Sequence, residues 1–185
     1  MKYYWILIGA IGCLYSCTDN TVKDLDDLKL EDKAGIERAT GIELLYSDSA
    51  IVKVRIKAPV MLKDDNYAKP KKIFPEGIGA DFFDDNQNQT SKLLADYAEQ
   101  YPDEQKFYLR DNIHIWNIEN EHLEGKELIW NEREKRIYSD SFVRITTPTQ
   151  IITGYKLESN LSFTEWKLDS VQGITESKNL VDTPF

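Results

Sequence analysis

The chain has 185 residues, of which 41% are hydrophobic and 30% charged, with 32 acidic against 23 basic side chains and a formal charge of -9. That length suits one domain with a core of its own and short appendages, and the composition excludes a disordered chain or a bundle of membrane spans. A surface this acidic repels phosphate backbones, so the expectation is no nucleic-acid partner.

Residues 1–16 read as a secretory signal peptide. Lys2 supplies the positive end, and residues 3–14 supply an apolar stretch of about a dozen residues, within the signal range and short of the roughly 20 that a spanning helix needs. The stretch ends in Leu14-Tyr15-Ser16-Cys17. This is the pattern of a bacterial lipobox, with Cys17 as the lipidated residue and Tyr15 bulkier than is usual there. Each acyl chain on Cys17 adds about 0.8 kcal/mol of membrane affinity per buried methylene, so several chains anchor the protein stably. Cys13, inside the removed segment, is a small apolar filler. The body has no cysteine, which rules out disulfides, thiolate nucleophiles and cysteine metal sites there. Residues 17–40 form the lipidated N-terminus and an acidic tether. Within it, residues 23–33 lack the caps and apolar stripe of a firm helix, and Asp19, just after Cys17, points weakly to retention at the inner membrane.

From residue 41 the pattern takes a period of two. Val52, Val54, Ile56, Ala58 and Val60 face one way, and Lys53, Arg55 and Lys57 the other, as in a half-buried strand. With residues 42–46 and the turn chemistry of Ser47-Asp48-Ser49 this predicts a β-hairpin. Pro59 is expected at a strand end or edge. Further short strands are predicted over 78–83, 90–97, 106–110, 112–118, 127–131, 136–138, 142–146, 150–153, 156–158 and 164–171, separated by turns such as Asp84-Asp85-Asn86-Gln87-Asn88 and Pro102-Asp103-Glu104. In the stretch 112–118, Ile113 and Ile115 share one side while His114 and Trp116 take the other. A faint echo at a spacing of roughly 30 residues, from Tyr108 to Tyr138, suggests stacked strand–turn–strand units. Residues 41–176 are therefore expected to form an all-β domain (a barrel, a sandwich or a stacked-hairpin solenoid), with residues 177–185 as a C-terminal tail.

No motif for chemistry stands out. The chain lacks a Gly-x-Ser-x-Gly elbow, a His-Glu-x-x-His helix and a glycine-rich phosphate loop, so no catalytic residue, cofactor or metal is expected. Its two histidines, His114 and His122, read as separate surface or satisfied side chains. The acidic run at 84–88 lacks the glycine and terminal glutamate of a calcium loop and reads as a turn. What remains is apolar surface that an open-sided sheet could present as a groove for acyl chains.

Several segments in order resemble the LptC family of the lipopolysaccharide export machine. They are Tyr46-Ser47-Asp48-Ser49-Ala50-Ile51-Val52-Lys53-Val54-Arg55-Ile56-Lys57-Ala58-Pro59, Phe74-Pro75-Glu76-Gly77, Ala95-Asp96-Tyr97-Ala98, Leu128-Ile129-Trp130-Asn131, and Arg136 through Ile145 leading into Ile152-Thr153-Gly154-Tyr155. The resemblance spans residues 41–173 and implies an antiparallel, twisted, open β-jellyroll, a groove of the LptA/LptC kind. It implies a non-enzymatic protein of the periplasm, held by its lipid at the outer leaflet of the inner membrane. Such a protein accepts lipopolysaccharide from an LptB/LptF/LptG-type transporter and hands it to an LptA-type bridge protein by edge-to-edge strand addition. On this reading Val52, Val54, Ile56, Ile113, Ile115, Val143 and Ile145 line the groove, and Gly154 lies at the partner edge, where backbones approach closely. The alternative is another ligand-binding envelope lipoprotein, a lipocalin-like carrier or an assembly factor, although the Gly-x-Trp signature of lipocalins is missing.

Overall fold

Long strands that bend at their middles, bridged by short strands that do not, build this protein. The computed structural model describes residues 36–65 and 68–176. The chain divides into two compact units, Met1–Glu31 and Asp32–Phe185, and every described residue belongs to the second. The signal peptide, Cys17, most of the tether and the tail at 177–185 lie outside the described residues.

Twelve strands make one antiparallel sheet, with no helix among the described residues. They are β1 (Ile36–Asp48), β2 (Ile51–Asp64), β3 (Lys71–Phe74), β4 (Ile78–Phe83), β5 (Gln89–Ala95), β6 (Tyr97–Tyr101), β7 (Lys106–Asn117), β8 (His122–Asn131), β9 (Arg136–Ser139), β10 (Val143–Thr146), β11 (Gln150–Asn160) and β12 (Trp166–Glu176). Each long strand changes partner halfway along. The first half of β2 pairs β4 and its second half pairs β3. Likewise β7 pairs β6 and then β5, β8 pairs β10 and then β9, and β11 pairs β10 and then β9. The sheet thus creases across its strands into two half-sheets. The first holds β4, β5, β10 and the adjoining halves of the long strands; the second holds β3, β6, β9 and the other halves.

The crease follows from local chemistry. Pro59 sits where β2 has left β4, whose last pair is Lys57 with Gly79, and has not yet met β3, whose first is Leu62 with Ile73. A proline has no N–H to donate, so this gap is where it does least damage. It therefore lies inside a long strand, not at the end or edge expected from sequence. Opposite it, Gly41 has φ +61°, a conformation open to glycine at little cost. Asp111 and Asn112, also at positive φ, make the bulge in β7, and Asn112 donates to the carboxylate of Asp96 at 2.5 Å. That bulge joins two stretches that read as separate strands in the sequence, while Asp96 splits the predicted strand at 90–97 into β5 and β6. Lys156, at φ +56°, does for β11 what the bulge does for β7.

The two half-sheets share one apolar interior. Ile56, Leu93, Ile113, Ile115 and Ile145 from the first and Phe74, Phe107, Leu109 and Ile137 from the second are all at most 1% exposed. Each such side chain contributes about 1.5–3 kcal/mol by leaving water. Rings bridge the halves, with Phe82 at 5.3 Å and Tyr46 at 6.5 Å from Trp130, both edge-on, while Trp130 stacks on Phe107 at 4.6 Å. The echoing segments fall at neighbouring hairpin tips. The turns at 102–105 and 132–135 lie side by side, tied by the Glu132 N–H donating to the Gln105 carbonyl at 2.9 Å.

The outermost strands are β1, paired only with β2, and β12, paired only with β11, so the sheet is open. β1 begins at Ile36, five residues inside the stretch that the sequence suggests is tether. Little apolar alternation marks that start, because an edge strand is held by its ladder to β2 and by exposed pairs such as Lys63 with Glu37 at 3.5 Å.

Candidate functional site

The interior opens at one end, between the β1–β2 turn, the β8–β9 turn and the loop joining β11 to β12. There it forms a cavity of about 480 Å³. Tyr46, Val54, Phe82, Trp130 and Leu161 give it an apolar wall, and Lys53, Asp48, Glu132 and Lys135 stand among its polar lining. The strand pleat explains this division. Val54 and Phe82 lie opposite each other on β2 and β4 with both side chains inward, whereas Lys53 points the other way and reaches the mouth only because it lies near the strand end.

Polar groups at the mouth are incompletely paired. Trp130 is 2% exposed, yet its indole N–H meets no acceptor in the protein. One oxygen each of Gln100 and Glu132 is likewise buried without a donor, while the Gln100 amide donates to the Tyr46 hydroxyl at 2.9 Å. Burial pushes the Glu132 carboxyl above the usual carboxylate range, although Gln100 and Lys72 act against the shift. Burial, reinforced by Glu132, pushes the Tyr46 hydroxyl up to about 12. The cations are held by exposed partners, Lys135 by Asp48 at 3.1 Å and Lys53 by Asp85. A deep apolar pocket under a rim of amines is shaped for a molecule with a fatty body and an anionic head.

Of the residues expected to line the groove, Val54, Ile56, Ile113, Ile115, Val143 and Ile145 all point into the shared interior, each at most 4% exposed. Val52 lies on the same face of β2 nearer the open end and is half-buried. Along the middle of the interior these side chains pack directly on one another. Gly154 lies inside the sheet, not on its edge: Val143 of β10 flanks it on one side and Val171 of β12 on the other. The close approach expected there is real, since a Cβ on Gly154 would come within 2.4 Å of the Ser170 carbonyl. The free edges belong to β1 and β12.

Sequence reasoning missed the mouth, because Tyr46, Phe82, Trp130 and Leu161 come from four separate elements that only the topology joins. It also treated the two histidines as unrelated. On the outer face of the first half-sheet, His114 Nδ1 lies 3.0 Å from His122 Nε2. The signal for this was available, because a β7–β8 hairpin turning near Asn120 sets Trp116 opposite His122 and His114 opposite Glu124. Burial holds the His122 imidazole below its usual pKa, helped by His114 and Arg144 and opposed by Glu124.

The family model described as "Lipopolysaccharide-assembly, LptC-related" matches residues 43–176. No curated protein matches the chain.

Proposed function

Because this chain belongs to the LptC-related family of lipopolysaccharide-assembly proteins, non-enzymatic transport components of the cell envelope, we propose that its creased sheet carries the acyl part of lipopolysaccharide between its two half-sheets. A role in lipopolysaccharide transport follows from the family; the remaining steps are our reading. The chain accepts the lipid from an inner-membrane transporter of the LptB/LptF/LptG type. It passes the lipid to an LptA-type bridge protein that adds a strand to β1 or β12, whose outward backbone groups have no partner strand within the described sheet. Cys17 carries the acyl anchor that keeps the domain at the outer leaflet of the inner membrane. No bond is made or broken by this chain, so its side chains need supply only a matching surface.

One observation carries the reading. The apolar interior reaches solvent at a cavity walled by Tyr46, Val54, Phe82, Trp130 and Leu161 and rimmed by Lys53 and Lys135, as an amphiphile with phosphate at its head requires. Photo-crosslinking tests it. Probes placed at Val52, Val54, Ile56, Ile113, Ile115, Val143 or Ile145 should capture lipopolysaccharide, most strongly at Val52 and Val54 beside the mouth. Probes at Lys92 and Arg144 on the outer face should stay blank. Capture confined to the outer positions would sink the proposal.

A further inference from the structure

On the outer face of the first half-sheet, away from the groove, β7 and β8 bring two imidazoles and a carboxylate together. His114 and Glu124 are opposite each other in the register, and His122 is one pair along, opposite Trp116. One ligand-type atom from each of His114, His122 and Glu124 lies within 4.8 Å of the other two. We propose that these three residues bind a divalent transition-metal cation of the zinc class, with the remaining coordination positions left to water.

The arrangement suits such an ion in three ways. First, the two ring nitrogens lie 3.0 Å apart. Two neutral imidazoles facing each other share a single proton between two lone pairs, and a metal in place of that proton engages both. Zinc–nitrogen bonds of about 2.0–2.1 Å put tetrahedral ligand atoms roughly 3.3 Å apart, close to this spacing. Second, the rings are already aligned. Trp116 stacks on His122 at 4.8 Å with the planes 2° apart, and the His114 and His122 rings are within 14° of parallel. Both are mounted on paired strands of a continuous sheet, so little rotamer freedom remains to be lost on binding. Third, all three residues are half-buried, which excludes part of the competing water while leaving a path for the ion. Two imidazoles and one carboxylate favour zinc, nickel or copper over calcium or magnesium, which prefer all-oxygen sets.

One neighbour opposes the ion. Arg144, opposite Glu124 on β10, holds that carboxylate at 3.7 Å, and Lys92 stands opposite Trp116 on β5. The ion must therefore take Glu124 from Arg144, an exposed and poorly aligned pair of small worth. This makes a distinctive prediction: neutralising Arg144 strengthens metal binding.

The test is calorimetric titration of the purified full chain with zinc chloride alone, accompanied by the quenching of tryptophan emission by copper(II). One ion should bind per chain. His114→Ala and His122→Ala should each weaken binding at least about tenfold, Glu124→Gln should do so less, and Arg144→Gln should tighten it. Copper quenching should shrink in a Trp116→Phe variant, which keeps both ligands. Binding that survives unchanged in the His114→Ala/His122→Ala double variant belongs to Cys13, Cys17 or other carboxylates and overturns the proposal. So does the absence of binding by a wild-type protein whose unfolding transition is intact. The groove plays no part in any of these outcomes, so failure here leaves the lipid reading standing.

Discussion

The two half-sheets face one another across a single interior but line it differently. The first presents aliphatic and β-branched side chains: Val54, Ile56, Leu93, Ile113, Ile115, Leu123, Val143 and Ile145. The second presents rings and polar groups as well: Phe74, Phe107 and Trp130 beside Gln100, Ser139 and Ser159. Its outer face carries a polar knot, in which Glu99 accepts from the hydroxyls of Tyr97 and Tyr101 at 2.8 and 2.9 Å and from the Lys71 ammonium at 3.0 Å. Although burial raises the Glu99 carboxyl, these donors outweigh it and hold the group below its usual range. The difference separates two tasks. An aliphatic wall offers a uniform surface with no fixed polar demands, while rings and unsatisfied polar atoms make one end of the groove specific.

The contrast can be broken most severely at Trp130, where the halves meet. Trp130→Ala removes the ring that touches Phe82, Phe107 and Tyr46 and should lower the unfolding free energy by about 3–5 kcal/mol. Urea denaturation measures this, and a loss under 1 kcal/mol would mean the halves are held together elsewhere. Gly154→Ala comes next. Its new methyl meets backbone, not a yielding side chain, so β12 must shift away from β11 at a cost of about 1–3 kcal/mol. Hydrogen exchange should show faster exchange along β12 and unchanged protection in β3 and β6. Ile115→Val, in the aliphatic wall, should cost only about 0.5–1.5 kcal/mol by thermal unfolding, and a larger loss would show that wall to be as specific as the ringed one.

The smallest effect is a pH signature at the mouth. Glu132 has its folded-state pKa raised by burial, so the folded protein binds its proton more tightly than the unfolded chain does. Its contribution is favourable below the unfolded pKa and is lost as pH rises through the folded one. Glu132→Gln should therefore raise the melting temperature slightly at neutral pH, with the gain vanishing in acid below the ordinary carboxylate range. A gain of equal size at both pH values would place the cause elsewhere than in that charge.

The same contrast governs what could be read from the sequence. The aliphatic wall was legible, because residues 52–60 and 113–116 alternate with lysine, arginine, histidine and tryptophan over long strands, and a period of two shows wherever one face is wet. The ringed wall was not. Strands β3, β6 and β9 have four, five and four residues, too few to display a period. The start of β1 stayed hidden because residues 37–40 read as Glu-Arg-Ala-Thr, polar on both faces. Pro59 misled because a long strand that trades one neighbour for another has a vacancy in its middle, which composition alone does not reveal. The mouth residues and the histidine pair needed the register, which only the folded ladder supplies.

A container whose inner walls already touch has no spare room. With Ile56, Leu93, Ile113 and Ile115 at zero exposure, a fatty chain can lodge there only by displacing side chains from one another, one oily neighbour exchanged for another. Loading of that sort gains little and costs little, so the cargo can leave as readily as it arrives. A closed seam of this kind is a relay post, and the push must come from outside it.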